Sequence, residues 1–192
     1  VGSTGESLQE EVVFVPGFTG HANAETTNNP KIWLPVLGEG QDIRLHRIVE
    51  KLTPDEICPV IPFPSRNARR GDGLIEEYRQ FLFAEHAVDP RNIVRASEFN
   101  PFEAYRQIVL TVSRYRDALG DLGSCRAIIS PLSSKLLSVG ALLAAYELKK
   151  KRAGGFHVGM YYVEAGSYQP PVGAAEFECD LSGLWILGEW EQ

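Results

Sequence analysis

Short apolar runs rich in valine and isoleucine alternate along the chain with longer stretches whose apolar positions recur every three or four residues. Five runs predict strands: Val12 to Val15, Ile57 to Phe63, Asn92 to Ala96, Ala127 to Ser130, and Val158 to Val163. Four intervening stretches predict helices: Ile43 to Leu52, Leu74 to Leu82, Tyr105 to Tyr115, and Leu136 to Leu148. The strand runs are apolar throughout, which suits parallel strands covered on both faces. The pattern therefore predicts an α/β fold, a Rossmann-like three-layer sandwich with a mainly parallel sheet of about five or six strands. A further run, Gly183 to Glu191, reads as a last strand at the sheet edge, and the Gly- and Pro-rich stretch before it, Gly166 to Asp180, as a loop.

Helix punctuation agrees. Asn100 before Pro101, with Glu103 following, has the form of an N-cap with proline at the first helical position. Gly120 and Gly154 follow the third and fourth helices, where a left-handed cap favours glycine. At 192 residues the chain suits one domain spanning 1–192. Because it begins with Val1, a longer parent chain carrying a further domain is allowed for.

A net charge of -6 argues against an extended nucleic-acid surface, which needs a basic face. Cys58, Cys125 and Cys179 form no CxxC pair, and the four histidines show no HxxxH or HExxH spacing, so no metal site is indicated. The longest apolar segment, Leu136 to Tyr146, is too short to span a membrane, and the N-terminal stretch has no signal-peptide pattern. The expected setting is the cytoplasm.

In a parallel sheet the loops after the strands share one edge, where ligands bind. Those loops hold the candidate chemistry. "PGFTG" offers Gly17, Phe18, Thr19 and Gly20, whose glycines let backbone approach a ligand. "PFPSRNARRGD" offers Arg66, Asn67, Arg69 and Arg70, whose guanidinium forks suit phosphate or carboxylate; the plainer alternative is a solvated basic loop. "SEFNPF" offers Glu98 and Asn100, for a ribose hydroxyl, a base, or merely the helix cap. "SPLSSK" places Ser133, Ser134 and Lys135 at a helix start, where free N–H groups favour an anion; the alternative is a capping serine beside a solvated lysine. The expected ligand is a nucleotide or another phosphorylated small molecule. No cofactor and no catalytic residue is identifiable, and neither a dinucleotide fingerprint nor a Walker A loop is present.

The strand opening into "VFVPGFTG" and the strand-to-helix turn "SPLSSKLLSVG" resemble the CRISPR-associated Rossmann-fold (CARF) family of ligand-sensing domains. That resemblance implies a homodimer that binds cyclic oligonucleotides at the strand ends, with Thr19 matching the contact from the first loop. Ser133, Ser134 and Lys135 would match the second loop, with two serines where the family usually has Gly-Thr. Two other functions stand beside it. "VFVPGFTG" also looks like the oxyanion loop of α/β-hydrolases, but the chain has no G-x-S-x-G: Leu136 stands where Ser138 would need a glycine, and His157 is the only late histidine. A protein-interaction subunit is the remaining alternative.

Overall fold

A computed structural model describes residues 11–20, 28–150, 155–164 and 183. The chain forms an α/β fold with a seven-stranded, mostly parallel sheet among the described residues. The strands are β1 (Glu11–Thr19), β2 (Lys31–Val36), β3 (Glu56–Ile57), β4 (Val60–Pro62), β5 (Val94–Ala96), β6 (Arg126–Pro131) and β7 (His157–Glu164). Their order is β1-β7-β6-β2-β4-β5, with β3 also paired to β2. The α-helices are α1 (Asp42–Leu52), α2 (Arg70–Glu77), α3 (Pro101–Ala118) and α4 (Lys135–Lys150). A π-helical turn over Gln80–Glu85 continues from α2. The run Gly183 to Glu191, the loop Gly166 to Asp180 and Gly154 lie outside the described residues, Gly183 excepted.

Strand pleating explains how one sheet serves two cores. Ile32, Leu34 and Val36 point to a cluster containing Ala104, Ile108 and Val112 of α3 and Leu137, Ala141, Ala144 and Leu148 of α4. Trp33, between them, points to the opposite cluster with Leu45, Ile48 and Leu52 of α1, Leu74 of α2 and Phe81. Each helix presents residues three or four apart, so its apolar stripe follows from the sequence period. At the centre, Trp33 Nε1 donates to Ser130 Oγ at 3.0 Å, and both residues are fully buried. Ser130→Ala is expected to cost about 1–2 kcal/mol in a urea titration, because it leaves a buried indole N–H without an acceptor.

The central strand β2 is absent from the pattern of apolar runs, since Pro35 interrupts "KIWLPV" and proline argues against a central strand. The pairing shows how it is tolerated. β2 meets β3 at Trp33↔Ile57 and β4 at Val36↔Val60, a constant offset that sets Pro35 opposite Pro59. Neither proline has an N–H to contribute, and the partner strand breaks there into β3 and β4.

Two expectations are corrected. β1 pairs antiparallel to β7, so "PGFT" lies within an edge strand, with Gly20 just past its end, instead of following a parallel one. After α3 the left-handed glycine is Gly123, with φ 88°, because a 3-10 turn over Gly120–Leu122 extends the helix first.

Candidate functional site

The parallel strands β7, β6, β2, β4 and β5 end together at one sheet edge, and the chain reverses its direction of travel across the sheet at β2. From β2 it moves outward to β4 and β5, then returns to β6 beside β2 and continues to β7. The switch point is therefore flanked by Leu37–Gln41 after β2 and Leu132–Ser134 after β6, the place where ligands of open α/β sheets bind.

The two flanking loops touch. A Cβ on Gly38 would lie 2.5 Å from the Leu132 carbonyl oxygen and 2.9 Å from Ser133 Cα, so only glycine fits and backbone fills the base of the crevice. Above it stand Ser133, Ser134 and Lys135. Ser134 caps α4: its Oγ lies 3.5 Å from Leu137 N, and its carbonyl accepts from Ser138 N and Oγ, each at 2.9 Å. Ser133 Oγ is buried with no hydrogen-bond partner, and Lys135 is exposed at the first helical position.

The arginine-rich segment ties neighbouring loops together. Arg70 Nε and Nη2 donate to Glu39 Oε1 and Oε2 at 2.6 and 2.7 Å, and its Nη1 donates to Glu98 Oε1 at 2.5 Å. One guanidinium thus joins the loop after β2, the start of α2 and the loop after β5. The Arg70 hydrogen bonds hold the Glu39 carboxyl below its ordinary range. Glu98 also accepts from Arg66 N at 3.1 Å, so Arg70 and Glu98 form a clamp between the loops at this edge. Asn67 closes a turn by accepting from Arg69 N at 3.0 Å, and Asn100 Oδ1 caps α3 by accepting from Phe102 N at 3.0 Å. The side chains of Arg66 and Arg69 are exposed beside this clamp.

Residues the sequence did not single out complete the clamp. Tyr78 Oη donates to Gly38 O at 2.6 Å and accepts from Gln41 N at 2.9 Å, while Glu77 Oε1 accepts from Gly40 N at 2.7 Å. Burial pushes the Tyr78 phenol up to about 12, so it stays a donor. The available signal was Gly38-Glu39-Gly40 directly after an apolar run, the form of a strand-to-helix loop.

Gly17, Phe18, Thr19 and Gly20 lie at the opposite edge. Thr19 pairs with Gly159 near the start of β7, Gly17 O accepts from Lys149 Nζ at 2.7 Å near the end of α4, and Gly20 O accepts from Arg126 Nη2 at 2.9 Å at the start of β6. The Lys149 ammonium also stands 5.0 Å from the Phe18 ring centre. The structure therefore brings Arg66, Asn67, Arg69, Arg70, Glu98, Asn100, Ser133, Ser134 and Lys135 to one edge and separates Gly17 to Gly20 from them. The antiparallel run of β1 is the cause.

Ser138 and His157 are also apart: Ser138 lies in the first turns of α4, and His157 opens β7 at the other edge. Among the described residues no group of three or more His, Cys, Asp or Glu side chains is placed to hold a metal ion. Cys58 and Cys125 are buried thiols, each pushed up to about 11 by desolvation. No described helix is long and apolar enough to cross a membrane. No protein-family model matches the chain, and no curated protein matches it.

Proposed function

We propose that the chain is a Rossmann-like, three-layer ligand-binding module of CARF-like type that holds a nucleotide or another phosphorylated small molecule at the C-terminal edge of its sheet. The observation that carries this reading is Ser133. Its hydroxyl is buried without a partner at the start of a 16-residue helix, beside the point where the strand order reverses. A phosphate oxygen is the acceptor such a hydroxyl lacks, and the N–H groups of the first turn of α4 add to it. Lys135 contributes charge from the same turn, with Arg66 and Arg69 across the edge. Because Gly38 closes the crevice floor, the ligand would rest on the rim formed by these side chains. On this reading the protein acts in the cytoplasm as a homodimer and senses its ligand without requiring a metal.

A thermal-shift screen with mononucleotides, cyclic oligonucleotides and sugar phosphates tests it, since a ligand that binds only the folded state raises stability. One nucleotide class should shift the melting temperature, and Lys135→Ala should weaken its binding about tenfold, as expected for a lost charged hydrogen bond. Equal affinity in wild type and Lys135→Ala would remove α4 from the site.

A second reading, a protein-interaction subunit, is favoured by three exposed aromatics at this edge, two on loops and one in the first turn of α3. Phe63, Phe99 and Phe102 are 50%, 53% and 47% exposed. The absence of any thermal shift with phosphorylated ligands would favour it.

A further inference from the structure

The open side of β5 borders a groove of about 490 Å³, within the size range of small-molecule sites. One wall is β5 and the turn before it; the other is α3, whose Gln107, Thr111 and Arg114 stand on one helix face by their four- and three-residue spacing. Cys58 and Tyr115 also line the groove. Two strands, β2 and β4, separate β5 from β6 and the Ser133–Lys135 edge.

Three arginines line this groove, Arg91, Arg95 and Arg114. Arg91 is matched to Asp89 through its Nε and Nη2. Arg95 and Arg114 are exposed and have no side-chain hydrogen bond or ion pair among the described residues. The backbone of β5 adds to this. Val94 N donates to Pro59 O and Ala96 O accepts from Phe63 N, so these two residues face β4. In a parallel ladder the residue between them turns its N–H and C=O the other way, which directs those of Arg95 to the open edge.

The neutral groups are donors too. Tyr115 Oη lies 3.5 Å from Cys58 Sγ, and burial holds that phenol above its ordinary value, so it keeps its proton. Gln107 and Thr111 offer an amide and a hydroxyl. The carboxylates nearby are already engaged: Asp89 by Arg91, and Glu56 by Asn92 Nδ2 at 3.1 Å. A strand of three residues is too short to recruit a partner strand by edge pairing, which points to a small ligand instead of a protein.

We propose that this groove is a second anion site, for a phosphate-bearing small molecule held between Arg95 on β5 and Arg114 on α3. Phosphate suits the donor-rich walls better than a carboxylate does, because it offers more acceptor oxygens to guanidinium forks and hydroxyls. The site is independent of the one proposed at the strand ends.

Calorimetric titration of the full chain with inorganic pyrophosphate at constant ionic strength tests the assignment. Arg95→Ser/Arg114→Ser should lose about tenfold or more in affinity. Its melting temperature should stay at the wild-type value, since neither side chain has a partner to lose. A charge-matched control, Arg79→Ser/Lys150→Ser, should bind as wild type does. Unchanged affinity in the groove variant, an equal loss in the control, or no binding by wild type would each overturn the proposal. Lys135→Ala separates the two sites. A loss there with none in the groove variant would overturn the groove and leave the strand-end site standing.

Discussion

Gly140→Leu is expected to lower the stability of the fold by about 3 kcal/mol or more, the upper range for overpacking a dense core. Gly140 sits where α4 crosses α3. A Cβ there would lie 2.4 Å from the Pro101 carbonyl oxygen and 2.8 Å from Ala104 Cβ. The first obstacle is backbone at the start of α3, fixed by the Asn100 cap and by proline, so it cannot rotate away as a side chain would. For a domain of this size the loss corresponds to a melting temperature lower by about 6–12 °C. Even Gly140→Ala should destabilise, although alanine favours a helix over glycine by about 1 kcal/mol, because the methyl group itself meets the carbonyl. Gly73 in α2 supplies the contrast: a Cβ there meets nothing within 4 Å, so Gly73→Ala should gain about 0.5–1 kcal/mol. Thermal and urea unfolding of the three variants checks the argument. A stable Gly140→Leu variant would mean that α3 and α4 do not approach this closely.

The features written in local periodicity are the ones the chain reveals by inspection. The helices over 43–52 and 105–115 and the Asn100-Pro101 helix start follow from spacing, whereas the buried face of α1 is Leu45, Ile48, Val49 and Leu52, with Ile43 exposed. The apolar runs at β6 and β7 mark strands for the same reason. What stayed hidden depends on partners distant in sequence. Pro35 makes "KIWLPV" look unfit for a central strand until Pro59 is seen across from it, with a break in the ladder at that point. Nothing in "VVFVPGFT" states its direction, because strand polarity is set by the neighbour it pairs with, here β7. Gly17 to Gly20 moved to the other edge on that account. The partners of the arginine cluster stay hidden for a related reason. Arg66, Arg69 and Arg70 look alike in the sequence, yet Arg70 meets Glu39, a residue 31 positions earlier on the loop after β2. The Ser133–Lys135 start of α4 was legible because its elements are contiguous.

The second large effect is expected at that clamp. Arg70→Met should cost about 2–3 kcal/mol at neutral pH, since it removes three charge-assisted hydrogen bonds and leaves two carboxylates facing each other. The loss is divided unequally. The Arg70 and Glu98 side chains are 16% and 22% exposed, so that arm is shielded from water, whereas Glu39 is 56% exposed and its arm is screened to less than about 1 kcal/mol. The pH dependence follows from Glu39, whose carboxyl is held below its ordinary value chiefly by the Arg70 hydrogen bonds. A lowered carboxyl stabilises the fold fully above the unfolded value of about 4.3 and loses that contribution as pH falls through the folded value. The stability gap between wild type and Arg70→Met should thus be flat near neutrality and narrow once the pH drops below about 4.3. Urea titrations across that interval measure it, and Arg70→Met/Glu39→Gln should recover part of the loss by removing the carboxylate repulsion. A gap that stayed constant into acid would show that Arg70 acts through packing of its stem and not through charge. In that case the loops after β2 and β5 would be held mainly by Tyr78 and Glu77, and the edge carrying Ser133 and Lys135 would keep its shape without the arginine.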